Sequence, residues 1–317
     1  MRYTVLALVL ALVLTGCGGP DRKAQRQLRD SGIEKLSAGD YTGAEKDFSE
    51  ALSMAGGRVT DAEIDIVYYL GATYTLQDNY NKAISRYSDL ITYDEDNKDA
   101  YFLRGSSYLN IEEKDKGIAD YRKATAIAPG DYELAIAVYE NLVAMGYKND
   151  AAEFLNKALE IEGDEADNFF YRGRIYQLLG QDDLAKTAFI RAMEDGNDEA
   201  GIYLAEVFAK EGDKKSAKEL ADRYGGKENP DQRQSMITGR LFLSLGEYKK
   251  AAKVYEDALT ADEDGKGEYH QELLKGQIAV YEYGGDFKKA LKAAQEYVGV
   301  YPSDSGMIRE IEFLKTR

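Results

Sequence analysis

The chain has 317 residues and a formal net charge of −16, with one histidine, one cysteine, no tryptophan and four prolines. The single histidine and cysteine exclude an intrachain disulfide and most metal and nucleophile–base sites, so we expect no enzyme activity, no metal and no cofactor. The excess of acidic groups repels phosphates, so we expect no nucleic-acid binding.

Residues 1–16 have the pattern of a secretory signal peptide. Arg2 supplies the positive start, and residues 5–14 form an unbroken apolar run. That run is about half of the ~20 residues that span a bilayer. The pattern therefore predicts a cleaved leader rather than a membrane helix.

The end of this leader carries a second signal. The tetrapeptide Leu14-Thr15-Gly16-Cys17 resembles the lipobox of bacterial lipoproteins. The resemblance implies cleavage between Gly16 and Cys17, acylation of Cys17, and a lipid anchor in the bacterial cell membrane. The protein would then face outside the cytoplasm, at the cell surface or in the periplasm. The alternative is an ordinary signal peptide followed by an incidental cysteine.

Residues 17–24 are interpreted as the acylated cysteine and a short tether. Four basic residues follow or overlap it, and three of them have the i, i+4, i+7 spacing of one helix face. They are Arg22, Lys23, Arg26 and Arg29. The spacing predicts a basic face on anionic lipid headgroups, and the alternative is an ordinary solvated helix face.

The rest of the chain repeats a short pattern in which glycine and an acidic residue precede a small residue. The small residues are Ala44, Ala83, Gly117, Ala151, Ala185, Ala217, Ala251 and Ala290, mostly 34 residues apart. Twelve residues before each, a small residue usually recurs, as at Gly32, Gly71, Gly105, Gly173, Ala205 and Gly239. Four residues after it an aromatic often follows, as at Phe48, Tyr87, Tyr121, Phe189 and Tyr255.

A 34-residue period with two helical segments resembles the tetratricopeptide repeat. The resemblance implies an all-α fold, an α-solenoid in which helix-turn-helix repeats form a right-handed superhelix. Residues 25–223 are predicted to hold repeats 1–6, and residues 231–302 repeats 7–8. A break is expected near 224–230, where the period is irregular. Residues 303–317 are predicted to form a C-terminal capping helix.

Three repeats depart from the pattern. Repeat 4 has Tyr139 where the others have a small residue. Repeats 6 and 8 have Ala221 and Ala294 in place of the aromatic. Separately, the acidic loop at 262–267 is interpreted as solvated, because Lys266 stands where a calcium loop needs an oxygen ligand. His270 is expected to be exposed.

The first helix of each repeat is predicted to line a groove for a partner. Counting so that Gly71 is position eight, position five is apolar and position nine is often charged. The candidate groove residues are Tyr68, Phe102, Ile136, Phe170, Arg174, Ile202, Met236 and Arg240. Position two is mostly acidic, which favours a basic ligand. The alternatives are packing between repeats for position five, and helix-dipole stabilisation for position two.

These features predict a membrane-anchored scaffold or adaptor of the cell envelope, with a protein or peptide ligand and no nucleic acid. The alternative is a surface glycan-binding lipoprotein, which the 25 tyrosines keep open despite the absence of tryptophan.

Overall fold

The structure, a computed structural model, describes residues 20–57, 59–161, 166–225, 231–262, 265, 269–302 and 304–317. The chain divides into two compact units, Met1–Ile161 and Glu162–Arg317. Every regular element in the described residues is an α-helix, which confirms the predicted all-α fold class.

The first unit contains four consecutive helix pairs among its described residues, and the two helices of each pair pack together. They are α1 (Pro20–Ser37), α2 (Tyr41–Ser53), α3 (Asp61–Leu76), α4 (Tyr80–Tyr93), α5 (Lys98–Asn110), α6 (Lys114–Ile127), α7 (Tyr132–Ala144) and α8 (Lys148–Leu159). The second helices of these pairs carry the markers Ala44, Ala83, Gly117 and Ala151, and α1 begins at Pro20, within the stretch 17–24 interpreted as a tether.

The second unit contains four more pairs and a final single helix among its described residues. They are α9 (Ala166–Leu178), α10 (Asp182–Glu194), α11 (Ala200–Glu211), α12 (Lys214–Tyr224), α13 (Gln232–Ser244), α14 (Tyr248–Ala261), α15 (His270–Tyr283), α16 (Phe287–Val300) and α17 (Ser305–Leu314). The second helices of these pairs carry the markers Ala185, Ala217, Ala251 and Ala290.

The core of the second unit continues across the break expected at 224–230. Ala221 of α12 and Ile237 of α13 belong to one buried cluster, although residues 226–230 lie outside the described residues. The division of the chain into compact units falls instead between residues 161 and 162.

The last helix covers the final pair. Leu314 is 2% exposed and belongs to a small core with Ile278 and Tyr297, against which Met307 and Ile311 pack. Ile308 of the same helix is 44% exposed. The apolar face of α17 is therefore formed by Met307, Ile311 and Leu314, without Ile308.

The turns within pairs explain the recurring glycine and acidic residue. Gly39 and Gly285 end the first helix with φ of 79° and 78°, a conformation that glycine adopts without steric cost. Asp40 and Asp286 then accept a hydrogen bond from the backbone N–H three residues on, which caps the second helix. In repeat 2, Asp78 occupies the left-handed position with φ of 57°.

Within most pairs the two helices meet where a glycine of the first faces an aromatic ring of the second. A Cβ added to Gly173 would lie 2.5 Å from Cδ1 of Phe189, and one added to Gly71 would lie 2.6 Å from Cε1 of Tyr87. The same relation joins three further pairs, Gly32 with Phe48, Gly105 with Tyr121 and Gly239 with Tyr255. All five rings are fully buried. We call this the glycine–aromatic contact.

The irregular repeats fill the same space differently. Repeat 4 has partly buried Tyr139 on its first helix and fully buried Leu155, in place of an aromatic, on its second. Repeat 8 has buried Ile278 on the first helix and buried Ala294 on the second. In repeat 8 the bulk on the first helix is therefore compensated by a smaller residue on the second, as close packing requires.

Replacing Gly173 with alanine should lower the free energy of unfolding by about 1–2 kcal/mol. Overpacking against the buried Phe189 ring outweighs the gain in helix propensity. The midpoint of urea unfolding, followed by circular dichroism, measures the effect.

The matched control is Gly299→Ala in α16, where the added methyl group has nothing within 4 Å. This change should leave the midpoint unchanged or raise it. Equal stabilisation by both changes would show that Gly173 has no packing role.

Candidate protein-interaction site

Four of the eight predicted groove residues are buried. Phe102 is 2% exposed, Ile136 and Phe170 3%, and Ile202 4%. A side chain covered to this degree presents almost no surface to a ligand. Their burial therefore favours the packing interpretation of position five.

The aromatic members of this set show what they pack against. Phe102 stacks on Tyr121 with ring centroids 5.4 Å apart. Phe170 lies 6.3 Å from Phe189 and 5.3 Å from Tyr203 of the following repeat. The aromatic residues at position five thus pack against the buried ring of a glycine–aromatic contact, and Phe170 also packs against the following repeat.

The other four candidates keep accessible surface. Tyr68 and Met236 are partly buried, Arg174 is partly exposed and Arg240 is exposed. The Tyr68 hydroxyl donates to the side chain of Asn97, and burial, followed by the nearby Asp99 carboxylate, raises the pKa of Tyr68. Arg174 lies over the Tyr203 ring, 5.3 Å from its centroid. In the second unit the accessible candidates are therefore Arg174, Met236 and Arg240.

The acidic residues at position two are engaged within the chain. Asp65 forms an ion pair with Arg29, and Asp167 accepts a hydrogen bond of 2.9 Å from Asn197. Glu199 lies 3.9 Å from the Arg233 guanidinium. These contacts weaken the prediction that position two selects a basic ligand.

The four basic residues at the start of α1 separate into two groups. Arg22, Lys23 and Arg26 are exposed. Arg29 instead pairs with Asp65 and lies 5.6 Å from the centroid of the Tyr69 ring, so it contacts the second repeat. Three of the four predicted membrane-surface residues are consequently accessible.

A charged seam runs between the first helices of repeats 5–7. Glu206 accepts a hydrogen bond from Gln177 at 3.5 Å, and its carboxyl interacts electrostatically with the guanidiniums of Arg240 and Arg174. Burial raises the pKa of Glu206, and the two arginines and Gln177 oppose that shift without cancelling it.

A pocket of about 360 Å³ opens beside this seam. It is lined by Glu206, Ala209 and Lys210 of α11, Lys214 of α12, and Arg240, Leu241, Ser244 and Leu245 at the end of α13. Arg240, a candidate groove residue at position nine of the sequence pattern, is part of this lining. Lys214 precedes the marker Ala217 on the second helix and lies outside the groove positions of the pattern.

His270 is less accessible than expected. Its Nδ1 lies 2.6 Å from the Asp262 carboxylate, and the two side chains are 13% and 5% exposed. The pair spans the ends of the loop between α14 and α15. Across the described residues, no group of three or more His, Cys, Asp or Glu side chains is arranged to hold a metal ion.

Comparisons with known proteins identify the repeat type. Two family models, each described as tetratricopeptide repeat, match residues 76–132 and 239–268. The chain contains tetratricopeptide repeats. The first match spans α4 and the pair α5–α6, and the second lies on the pair α13–α14.

Curated relatives are distant. The human protein O-mannosyl-transferase TMTC1 is 26% identical over 55% of this chain and 20% of its own length. Lipopolysaccharide assembly protein B of Escherichia coli K12 is 20% identical over 62% of this chain and 54% of its own length. The chain thus spans 20% of the length of the first relative and 54% of the length of the second.

A crystal structure of a tetratricopeptide repeat protein from Parabacteroides merdae is 17% identical to this chain. It covers 81% of this chain and 99% of its own, with a TM-score of 0.47.

In the part of the chain that the structure describes, no helix is both long and apolar enough to cross a membrane. The predicted leader and Cys17 lie outside the described residues.

Replacing Glu206 with glutamine should raise stability at pH about 8 and change it little at pH about 4. The raised pKa means that the folded state favours the neutral carboxyl, so the native chain loses stability as pH rises through that pKa. Thermal unfolding of both proteins across this pH range checks the effect.

The exposed Glu219 of α12 provides the control, and Glu219→Gln should give no such pH-dependent difference. A Glu206→Gln effect that is equal at both pH values would contradict the assignment.

Proposed function

We propose that the protein is a lipid-anchored tetratricopeptide scaffold that holds other proteins at the outer side of a bacterial cell membrane. The observation that carries the proposal is the tandem array of helix pairs, parts of which match tetratricopeptide family models. The position-five residues of this array are mostly buried, whereas charged side chains of the first helices remain accessible in repeats 5–7. Tandem helical repeats of this kind create extended binding surfaces.

The anchor part of the proposal rests on the sequence Leu14-Thr15-Gly16-Cys17 and the apolar run before it. One acyl chain binds a bilayer only marginally, whereas two or more anchor a protein stably. The three exposed basic residues of α1 begin five residues after Cys17 and would add attraction to anionic lipid. A distant relative is named for lipopolysaccharide assembly, which is compatible with an envelope role.

The scaffold part rests on how the first helices are used. Their position-five residues are mostly buried and fix the repeats against one another, while Arg174, Met236 and Arg240 retain surface in the second unit. A rigid face with accessible charged and apolar groups suits recognition of an extended or helical segment of a partner.

Replacing Cys17 with serine should move the protein from the membrane fraction of the producing bacterium to the supernatant left after membranes are sedimented, since no acyl chain can be attached. Fractionation and mass spectrometry of the amino-terminal peptide measure this. A native chain without an acylated Cys17, or a variant that remains in the membrane to the same extent, would contradict the anchor.

A second arm of that experiment examines α1. In the Cys17→Ser background, Arg22, Lys23 and Arg26 are changed together to glutamine and flotation with anionic vesicles is measured. We expect the weak residual binding to disappear, because each cation near an anionic surface contributes about 1 kcal/mol. Flotation with neutral vesicles is the control.

A photo-crosslinking amino acid in place of Met236 should capture a protein partner in intact cells, because this residue lies on the accessible first-helix face. The same amino acid in place of Ile190 of α10 is the control, since Ile190 is 45% exposed but stands on a second helix. Mass spectrometry identifies the products.

Capture at position 190 alone would transfer partner binding to the second helices. No protein captured at either position, together with binding on a glycan array, would favour the alternative of a glycan-binding lipoprotein.

A further inference from the structure

Three consecutive second helices of the second unit begin with a pair of lysines. Each pair follows a single acidic N-cap residue, and the first turn of each helix contains no acid, so lysines outnumber acids there. The pairs are Lys214 and Lys215 in α12, Lys249 and Lys250 in α14, and Lys288 and Lys289 in α16.

Helix stability does not explain these lysines. The amino terminus of a helix carries a partial positive charge, which repels cations in the first turn and favours carboxylates. Repeat 5 has the favoured arrangement, with Asp182 and Asp183 at the start of α10. Lysine pairs in three successive repeats therefore indicate a role outside their own helices.

The three turns lie side by side along one edge of the second unit. The start of α12 meets the turn of repeat 7, because Lys214 lines one pocket together with Ser244 and Leu245. The start of α14 meets the turn of repeat 8, where a Cβ added to Gly284 would lie 3.5 Å from Cβ of Tyr248. The lysine pairs therefore form one row.

Two lysines of this row keep their charge for a ligand. Lys249 and Lys288 are exposed, and among the described residues their ammonium groups have no hydrogen-bond or ion-pair partner. The acids beside them are engaged. Glu247 forms an ion pair with Lys218, and Asp286 accepts a hydrogen bond of 3.1 Å from the backbone N–H of Lys289.

Exposed aromatic rings accompany the lysines. Tyr248, in the first turn of α14, is 37% exposed, and Tyr283, the last residue of α15, is 69% exposed. The end of the chain adds Arg317, whose guanidinium lies 4.8 Å from the centroid of the exposed Phe313 ring and 5.9 Å from that of Phe287. We call the tyrosines and unpaired lysines of this row the lysine–tyrosine edge: Lys249, Lys288, Tyr248 and Tyr283.

We propose that the lysine–tyrosine edge binds the anionic phospholipid headgroups of a bilayer, with the ammonium groups on lipid phosphates and the tyrosine rings at the level of the headgroups. Both side chains combine an apolar stem or ring with a polar tip, which suits the boundary between lipid and water. A row of turns spread over three repeats fits a flat surface with many anionic groups better than a peptide held in a groove. The inference rests on the proposed function and deepens it, because it adds a second bilayer contact to the anchor at Cys17.

The net charge of −16 does not prevent this contact. At physiological ionic strength, charges farther than about 8 Å from the headgroups are largely screened. The local lysines therefore decide which surface approaches the bilayer, and surfaces with a local excess of acids are repelled. The edge thus determines which side of the second unit faces the membrane.

The test uses a tryptophan as reporter, since the chain has none. The Tyr283→Trp chain from Cys17 onward is coupled through this single cysteine to maleimide lipid in vesicles. Coupling raises the local lipid concentration, so a contact too weak to float a free chain becomes measurable. With vesicles that contain phosphatidylglycerol, we expect a blue shift of the emission and quenching by brominated lipid. With phosphatidylcholine alone we expect neither.

A second reporter and the ionic strength provide controls. Tyr93→Trp places the reporter at a residue that is 55% exposed but precedes Asp94 and Glu95 in the first unit, and its emission should not shift. At about 1 M salt, where the screening length falls to about 3 Å, the Tyr283→Trp shift should disappear.

Paired substitutions locate the contact. Lys249→Gln with Lys288→Gln should lower the ratio of bilayer-bound to free edge by about tenfold or more, because each lysine near an anionic surface contributes roughly fivefold. The matched control is Lys46→Gln with Lys148→Gln, which removes two exposed lysines of the first unit and changes the net charge equally. Circular dichroism checks that both variants keep their helices.

Four outcomes overturn the proposal. They are no shift on phosphatidylglycerol vesicles, an equal shift on phosphatidylcholine, an equal effect of the two paired substitutions, and a shift that persists at high salt. A shift with soluble polyglutamate but not with vesicles would also overturn it, and would assign the edge to an acidic protein.

The coupling separates this proposal from the proposed function, because it replaces natural acylation. A tryptophan shift in the coupled chain, together with a native chain that is not acylated, would support the edge and refute the anchor. An acylated Cys17 without a tryptophan shift would refute the edge and leave the anchor standing.

Discussion

The glycine–aromatic contact sets the distance between the two helices of a pair. At Gly173 the missing side chain leaves the volume that the Phe189 ring occupies, and five pairs repeat this relation at the same spacing. The ring has no exposed surface and cannot move aside, so the helix approach is fixed by volume rather than by hydrogen bonds. Repeat 8 keeps the sum of volumes and redistributes it between the helices, with Ile278 on the first and Ala294 on the second.

This constraint decides which residues remain for recognition. Rings such as Tyr121 and Phe189 draw the position-five side chains Phe102 and Phe170 into the core. What stays accessible on the first helices of the second unit is a set of longer, charged side chains. These side chains include Arg174 and Arg240, whose guanidiniums interact with the Glu206 carboxyl. The polar accessible face therefore results from the packing of the apolar side chains beneath it.

The sequence predicted the helix pairs well because their signals are local. A glycine sixteen residues before an aromatic, and a Gly-Asp turn between them, identify both helices and their contact. The outward or inward direction of position five was not predictable in the same way, because an apolar residue suits a groove and a core equally.

Contacts between residues far apart in the chain could not be predicted from the sequence. Arg29 fits a basic helix face by spacing, and only the fold brings Asp65 within reach of it. His270 and Asp262 flank a polar loop whose sequence predicts solvent exposure. The two side chains nevertheless pair with each other and are mostly buried. For the leader and Cys17, the sequence remains the whole basis of the prediction.

The short reach of the glycine–aromatic contact has a kinetic consequence. Each one closes a segment of only sixteen residues, so the entropy lost in forming it is small and about equal in every such pair. A chain built from such contacts has low contact order and folds quickly. The array can therefore assemble pair by pair, each finished pair offering the next a surface to condense on.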